Sequence, residues 1–423
     1  MSAADSPSSP PAARPDAYQA LRFRDFRLLF FSTLFSVIAE QMLGAAIAWE
    51  LYARTKNPFD LGLVGLVQII PVLLLALPAG HIADTADRKR VVVLAMSGLA
   101  LCSLALAALS WVQGPIVLIY LCILGMGIGR AFQSPAFSAL QAQVVPVEAY
   151  ANAATWQSTA WQLSAILGPA LGGLLLALPT GATLVYILSS VTLLGVALAL
   201  STIRAQTAAQ HAGEPMTMSS MLVGLRFVWQ NKIILASISL DMFAVLFGGA
   251  VALLPVYASD VLHVGELGYG VMRAAPSIGA VAMAFLIAHM PPMKHAGRAL
   301  LYAVAGFGVA TLVFGVSTFF PLSLAMLVVL GALDNISVVI RSTLLLTRTP
   351  DEMRGRVNAV HYVFVGISNE LGSFESGTVA ALLGSSVASV VFGGFGTLAV
   401  VVLIALAFPE LRRLGRLVAA PAA

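Results

Sequence analysis

Charge is scarce in this chain. Only 10% of its 423 residues are Asp, Glu, Lys or Arg, whereas 59% are hydrophobic; a soluble globular domain carries roughly 25% charged residues. A chain so poor in charge cannot cover itself with a wetted surface, and its solvent is expected to be lipid. Lysine is the rarest charged residue, confined to Lys56, Lys89, Lys232 and Lys294. The net charge of +4 is spread over many short loops, which argues against a nucleic-acid-binding face. Cysteine is nearly absent: Cys102 and Cys122 lie inside apolar runs with no neighbouring His or Cys, so neither a disulfide scaffold nor a zinc site is expected. The six histidines fall in loops or at the ends of apolar runs and form no cluster. There is no Gly-x-x-x-x-Gly-Lys-Ser/Thr loop, no Gly-x-Ser-x-Gly elbow and no His-Glu-x-x-His helix. An ATPase of that type, a serine hydrolase and a zinc protease are thereby excluded, and neither enzyme activity nor a cofactor is expected. The Gly125-x-Gly127-x-Gly129 run lies inside an apolar helix, where it serves packing rather than dinucleotide binding.

What is present is twelve apolar runs, the first opening near Leu28 and the last closing near Phe408. Each is long enough for the roughly 20 residues a membrane helix needs. The expected fold is therefore all-α and integral to the membrane, with short loops. The chain also repeats itself. Leu21-Arg22-Phe23 recurs as Leu225-Arg226-Phe227, Pro71 as Pro276, and Pro146-Val147-Glu148 with Asn152-Ala153 as Pro350-Asp351-Glu352 with Asn358-Ala359, at offsets of about 204 to 206 residues. Two pseudo-symmetric six-helix halves of the same orientation fit that offset. The organisation read from this is a tail over 1–27, a first half over 28–203, a linker over 204–231, a second half over 232–408 and a tail over 409–423. Ser2 to Pro15, rich in Ser, Pro and Ala, reads as a disordered tail and not as a signal peptide, because the first apolar run begins only near Leu28. In the linker, Gly213-Glu214-Pro215 is a hinge signal, and Met218–Trp229 is amphipathic and suited to a membrane surface.

The basic residues orient the bundle. With the N-terminus in the cytoplasm, 18 of the 23 Lys and Arg fall on the inner side, Arg54 and Lys56 fall outside, and Arg130, Arg273 and Arg341 lie within spans. Both termini are expected to be cytosolic.

Five stretches carry a resemblance. After the second run comes Gly80-His81-Ile82-Ala83-Asp84-Thr85-Ala86-Asp87-Arg88-Lys89-Arg90. It resembles the signature loop of the major facilitator superfamily, matching at Gly80, Asp84, Arg88, Lys89 and Arg90 and departing at Thr85 and Asp87. The fifth run holds Ser164 and then Gly168-Pro169-Ala170-Leu171-Gly172-Gly173. This is similar to the antiporter motif of exporters in that superfamily, with Ser164 in place of its first glycine. Arg130 to Ala136, Val145 to Asn152 and Thr349 to Val357 resemble the enterobactin-exporter and macrolide-efflux branch. The resemblance implies the major facilitator fold, with a cytosolic latch in which Asp84 faces Arg354 and Arg356. It implies export, through the motif at Gly168, Pro169, Gly172 and Gly173. The Ala- and Arg-rich, Lys-poor composition and the short loops fit a bacterial inner membrane, and a monomer is expected.

Ionisable residues at membrane depth are costly and mark function. Glu40, Arg130, Asp241 and Asp334 lie on the first, fourth, seventh and tenth runs, which in the resembled fold line the central cavity, and Glu370 lies on the eleventh. The functional reading makes Glu40, Asp241 or Asp334 a proton carrier; the structural reading makes them static ion pairs. Arg130 and Asp334, related by the repeat, are expected to pair across the pseudo-twofold axis. Arg341 is read as snorkelling and Glu50 with Arg54 as an ordinary helix pair. Gln41, Gln133, Trp156, Gln157, Trp161, Asn335 and Asn369 are the candidates for substrate contact. The expected activity is proton-coupled export of small amphipathic molecules such as drugs or siderophores. The net acidic cavity favours cationic or neutral cargo over anions. Import on the same fold, or a sensor that does not transport, is the alternative.

Overall fold

In hydrocarbon every backbone amide must find its partner within the protein, and a helix does this within one segment. The computed structural model describes residues 16–204, 218–291 and 293–415; the Ser2–Pro15 tail, the Gly213-Glu214-Pro215 hinge and Arg416 lie outside them. The helices are α1 (Arg24–Thr55), α2 (Pro58–Thr85), α3 (Arg88–Trp111), α4 (Ile116–Val144), α5 (Tyr150–Leu176) and α6 (Gly181–Ser201) in the first half. After the linker come α7 (Met218–Gln230) and α8 (Lys232–Phe247), followed by the single turn α9 (Leu254–Val256). The second half continues with α10 (Gly265–His289), α11 (Ala296–Val316), α12 (Phe320–Arg348), α13 (Asp351–Leu383), α14 (Ser386–Ala407) and the short α15 (Pro409–Arg412). No strand occurs among the described residues.

Eleven of these spans are long and apolar enough to cross a bilayer. The twelfth, α13, is 33 residues long but carries Asp351, Glu352, Arg354, Arg356, Glu370 and Glu375, and it packs along α2, α8 and α14. Its polarity follows from that position, because a helix lined by neighbours and a cleft meets less lipid. The seventh span is broken. α8 stops at Gly248, a 3₁₀ turn over Gly249–Leu253 leads to α9, and a π turn over Tyr257–Val261 closes the span. Glycine is required at the break, since a Cβ on Gly249 would stand 2.3 Å from Ser376 Oγ and 2.5 Å from the Gly372 carbonyl of α13.

Within the first half α1 packs on α5 and α6, and α3 on α4 and α6; within the second, α11 packs on α12 and α14. The halves meet along α2 with α13 and α5 with α10. We call the end where α1 begins and α14 finishes the terminal end, and the other the far end. The backbone crossings lie toward the far end. A Cβ on Gly377 of α13 would be 2.7 Å from the nitrogen of Gly62 in α2, and one on Gly173 of α5 would be 2.4 Å from the Cα of Gly270 in α10. At the terminal end of α2 and α13, Gly80 and Gly355 have no atom of another element within 4 Å of the Cβ position, and neither has Gly366 at the middle of α13. The halves thus converge at the far end and part toward the terminal end, forming a V-shaped cleft. The far end is further tied by Tyr52 of α1, whose hydroxyl bonds Asp260 in the π turn, and by Lys56, 3.8 Å from the same carboxylate. The amphipathic α7 docks by Leu225, Phe227 and Val228 on Ile234, Val357 and Val360, leaving Leu222 and Trp229 exposed.

Candidate functional site

Two clusters of ionisable groups lie between the helices at membrane depth. The first ties α1 to α4. Arg130 Nε stands 3.4 Å from Glu40 Oε2, an ion pair whose angle leaves Nε without a hydrogen bond. Its Nη1 donates to Gln68 Oε1 of α2 at 2.5 Å, and Gln133 Nε2, one turn along α4, donates to Glu40 Oε1 at 3.1 Å. Glu370 of α13 lies within electrostatic reach of Arg130 and of Arg273 on α10. A Cβ on Gly65 of α2 would stand 2.9 Å from Glu370 Oε2, so this glycine makes the room for the carboxylate.

The second cluster ties α8 to α12. Arg341 is 3% exposed and bonds Asp241, itself 5% exposed; it also donates to Ser337 Oγ at 3.1 Å. Asp334, Ser337 and Arg341 recur on one face of α12 at helical spacing. Asp334 lies within reach of both Asp241 and Arg341, and His361 of α13 within reach of Arg341. Arg341 thus pairs with Asp241, while Asp334 stands farther off and closes no ion pair within 4 Å. Arg341 Nε, Asn335 Oδ1 and His361 Nδ1 are buried with no hydrogen-bond partner. Arg341 does not snorkel: it is an internal ion-pair member, because its end of α12 is covered by α8 and α13. Nor do Arg130 and Asp334 pair across the pseudo-twofold axis. Each half closes its own pair, an acid on its first helix with an arginine on its fourth.

The model of a family of transmembrane secretion effectors matches residues 16–417 of the chain. The chain belongs to that family. It is 26% identical over 390 residues to the enterobactin exporter EntS of Escherichia coli O1:K1 and to that of Citrobacter koseri, covering 92% of this chain and 92% of each relative. Among solved structures, its fold matches a bacterial homologue of the lysosomal transporter Spinster in an inward-facing, occupied conformation, with a TM-score of 0.72 at 15% identity over 97% of this chain and 100% of that one. It also matches a peptide transporter POT in complex with sulfate, with a TM-score of 0.69 at 14% identity over 96% and 100% of the two chains. The chain is thus a major facilitator transporter and not an enzyme, a multi-pass membrane protein of twelve helices in two halves.

In this secretion-effector chain the small residues of α5 serve two partners. Gly168 and Gly172 face α1, where a Cβ would meet Gln41 at 2.5 Å and Ala45 at 3.4 Å respectively. Gly173 faces α10 of the other half, and a Cβ on Gly270 would reach the Pro169 carbonyl at 2.9 Å. Ser164, at the departure from the exporter motif, donates to the Leu34 carbonyl of α1 at 2.8 Å. The basic residues after α2 bond within their own half: Arg88 Nε with the Ala83 carbonyl, Lys89 with the carbonyls of Ser201 and Ile203, and Arg90 with Asp87 at 3.3 Å. Arg354 pairs with Asp351 at 2.7 Å, and Arg356 lies against Gly224 of α7. The side chain of Asp84 lies outside the described residues.

The substrate candidates are scattered. Gln133 belongs to the first cluster, Gln41 lies against Gly168 of α5, and Asn335, next to Asp334 on α12, has a buried Oδ1 without a hydrogen-bond partner. Gln157 is buried with both amide atoms unpartnered. Trp156 is held at the terminal end, where its Nε1 donates to the Ala17 carbonyl at 3.0 Å and its ring meets Phe30 edge-on. Trp161 is 55% exposed, and Asn369 donates to the Val365 carbonyl of its own helix. Sequence reasoning gave Arg273, Gln68 and His361 no role. Their signal was polarity at membrane depth, but on helices that the resemblance did not mark as cavity-lining.

Proposed function

We propose that the protein is a proton-coupled exporter of small amphipathic molecules, working as a monomer by alternating access in a bacterial inner membrane. The basic residues concentrated at the terminal end support a cytosolic location for both termini and for the mouth of the cleft. Relatives named as exporters support the outward direction.

The observation that carries proton coupling is the second cluster. Asp241 holds Arg341, and a second buried carboxylate, Asp334, lies within electrostatic reach of both without an ion pair of its own, as does His361 of Arg341; His361 and Asn335 have unpartnered atoms. Removing a charge from such a cluster by protonation changes which carboxylate the guanidinium holds, and so how α8 is tied to α12. In this reading Asp334 carries the proton. With the far end open it takes a proton from outside as cargo leaves. With the cleft open to the cytoplasm the proton departs and cargo enters. The first cluster, where Glu40 is satisfied by Arg130 and Gln133, serves as the static counterpart.

The test uses inverted membrane vesicles loaded with a pH-sensitive dye, an imposed proton gradient and a panel of drugs and siderophores. Collapse of the gradient by at least one compound, lost in Asp334→Asn, is expected. If Asp334→Asn, Asp241→Asn and Glu40→Gln all respond like the parent at every pH, coupling through these carboxylates fails.

A further inference from the structure

Arg273 has no carboxylate within 4 Å among the described residues, whereas the other two arginines at membrane depth each hold one, Arg130 with Glu40 and Arg341 with Asp241. It lies on α10, one turn on the cleft side of the Gly270–Gly173 crossing. Its Nη1 donates to Tyr269 Oη at 3.2 Å. That hydroxyl donates in turn to the Ala45 carbonyl of α1 at 3.3 Å, and the fully buried Tyr269 ring stacks on Trp49 at 5.3 Å. The base of the guanidinium is therefore held rigidly at the junction of α1 and α10. Its Nη2 points along α1 past Gly44, where a Cβ would come within 3.2 Å. Of five N–H donors, one is used by the protein.

A guanidinium at membrane depth that closes no ion pair is expensive and calls for a partner. Two neighbours bear on that partner. Glu370 acts on Arg273 at longer range but shares its field with Arg130, and it closes no ion pair with either. Arg130 Nε is also buried without a hydrogen bond. The top of the cleft thus holds two guanidinium groups with unused donors, from opposite halves, and two carboxylates, Glu40 and Glu370. The net acidity expected from the sequence resides in the second cluster, about two helical turns closer to the terminal end, not here.

We infer that Arg273 binds an anionic group of the cargo, a carboxylate or comparable oxyanion, with the apolar body of the molecule lying in the cleft below. A planar oxyanion matches the fork of an arginine and is held by charge-assisted, paired hydrogen bonds. The inference rests on the transport reading above and names the chemistry of its cargo.

The test is binding without any gradient, on the full-length protein in nanodiscs. Benzoate, naphthoate and octanoate are each compared with their own amide by calorimetry. At least one carboxylate is expected to bind about tenfold or more tighter than its amide. Arg273→Gln is expected to remove that preference and Arg273→Lys to keep part of it, with both variants eluting as the parent does in size exclusion. The inference is overturned if no carboxylate binds, if acid and amide bind alike, or if Arg273→Gln keeps the preference. Because no proton gradient is used, proton coupling can fail while anion preference stands, and the reverse.

Discussion

Arg341 and Arg130 are equal in charge and unequal in surroundings. Arg341 is 3% exposed and holds a carboxylate that is 5% exposed, so truncating it leaves Asp241 charged and unpaired in the interior. Loss of one partner of such a pair costs about 3–5 kcal/mol. Arg341→Gln is expected to lower the melting temperature of the detergent-solubilised protein markedly, and the double variant Arg341→Gln with Asp241→Asn to recover much of the loss. A melting temperature unchanged in the single variant would mean that the pair is not buried in the working protein. Asp334 calls for a different measurement, because its replacement leaves the Arg341–Asp241 bond in place. Asp334→Asn is fixed in a neutral form at every pH, so it is expected to abolish gradient-driven extrusion while leaving gradient-independent exchange of cargo across the membrane. Loss of both activities together would make Asp334 structural. The carboxylates themselves were legible in the sequence as charges in apolar runs. Their partners were not, because Arg341 stands only two turns from the end of its helix, where a long side chain reaches water unless a neighbour covers it.

At the scale of helices, the decisive features are glycines that face another backbone. Gly173 and Gly270 touch across the two halves, and no side-chain rearrangement makes room there for a methyl group. Gly173→Ala is expected to open the far end. A cysteine at Ala381, bordering the far-end cavity of about 410 Å³ that Tyr52, Lys56 and Asp260 also line, should then react faster with a membrane-impermeant maleimide, in a background with Cys102 and Cys122 replaced by serine. Tyr52→Phe removes the hydroxyl bonded to Asp260 and is expected to change the same labelling in the same direction, by a smaller factor. Unchanged labelling in both would mean that these contacts do not hold the far end. The helices themselves were readable from length and apolarity. α13 was among them, read as the apolar run from Val357 to Leu383, and the structure extends it back to Asp351. The break in the seventh span was not readable, because Gly248 and Gly249 stand in an apolar run where glycine is common for packing.

For the whole molecule, 16 of the 21 basic residues among the described residues lie at the end where the cleft opens. Green fluorescent protein fused to the C-terminus is expected to fluoresce in bacterial cells, as it does only when it folds in the cytoplasm; a dark fusion that is nonetheless expressed would reverse the orientation and the reading of the cleft. The twelve spans, the two halves and the signature stretches follow from periodicity, composition and an offset of about 204 to 206 residues, all of which are one-dimensional properties. Which charges neutralise one another does not. The sequence paired Arg130 with Asp334 by symmetry, whereas the bundle pairs Arg130 with Glu40 and Arg341 with Asp241. A Coulombic partner is chosen by distance in a medium of low dielectric, and distance between helices is set by which small residues let which backbones approach. That choice, made at Gly65, Gly173, Gly270 and Gly377, also fixed where the halves close and left Arg273 facing the cleft without a carboxylate.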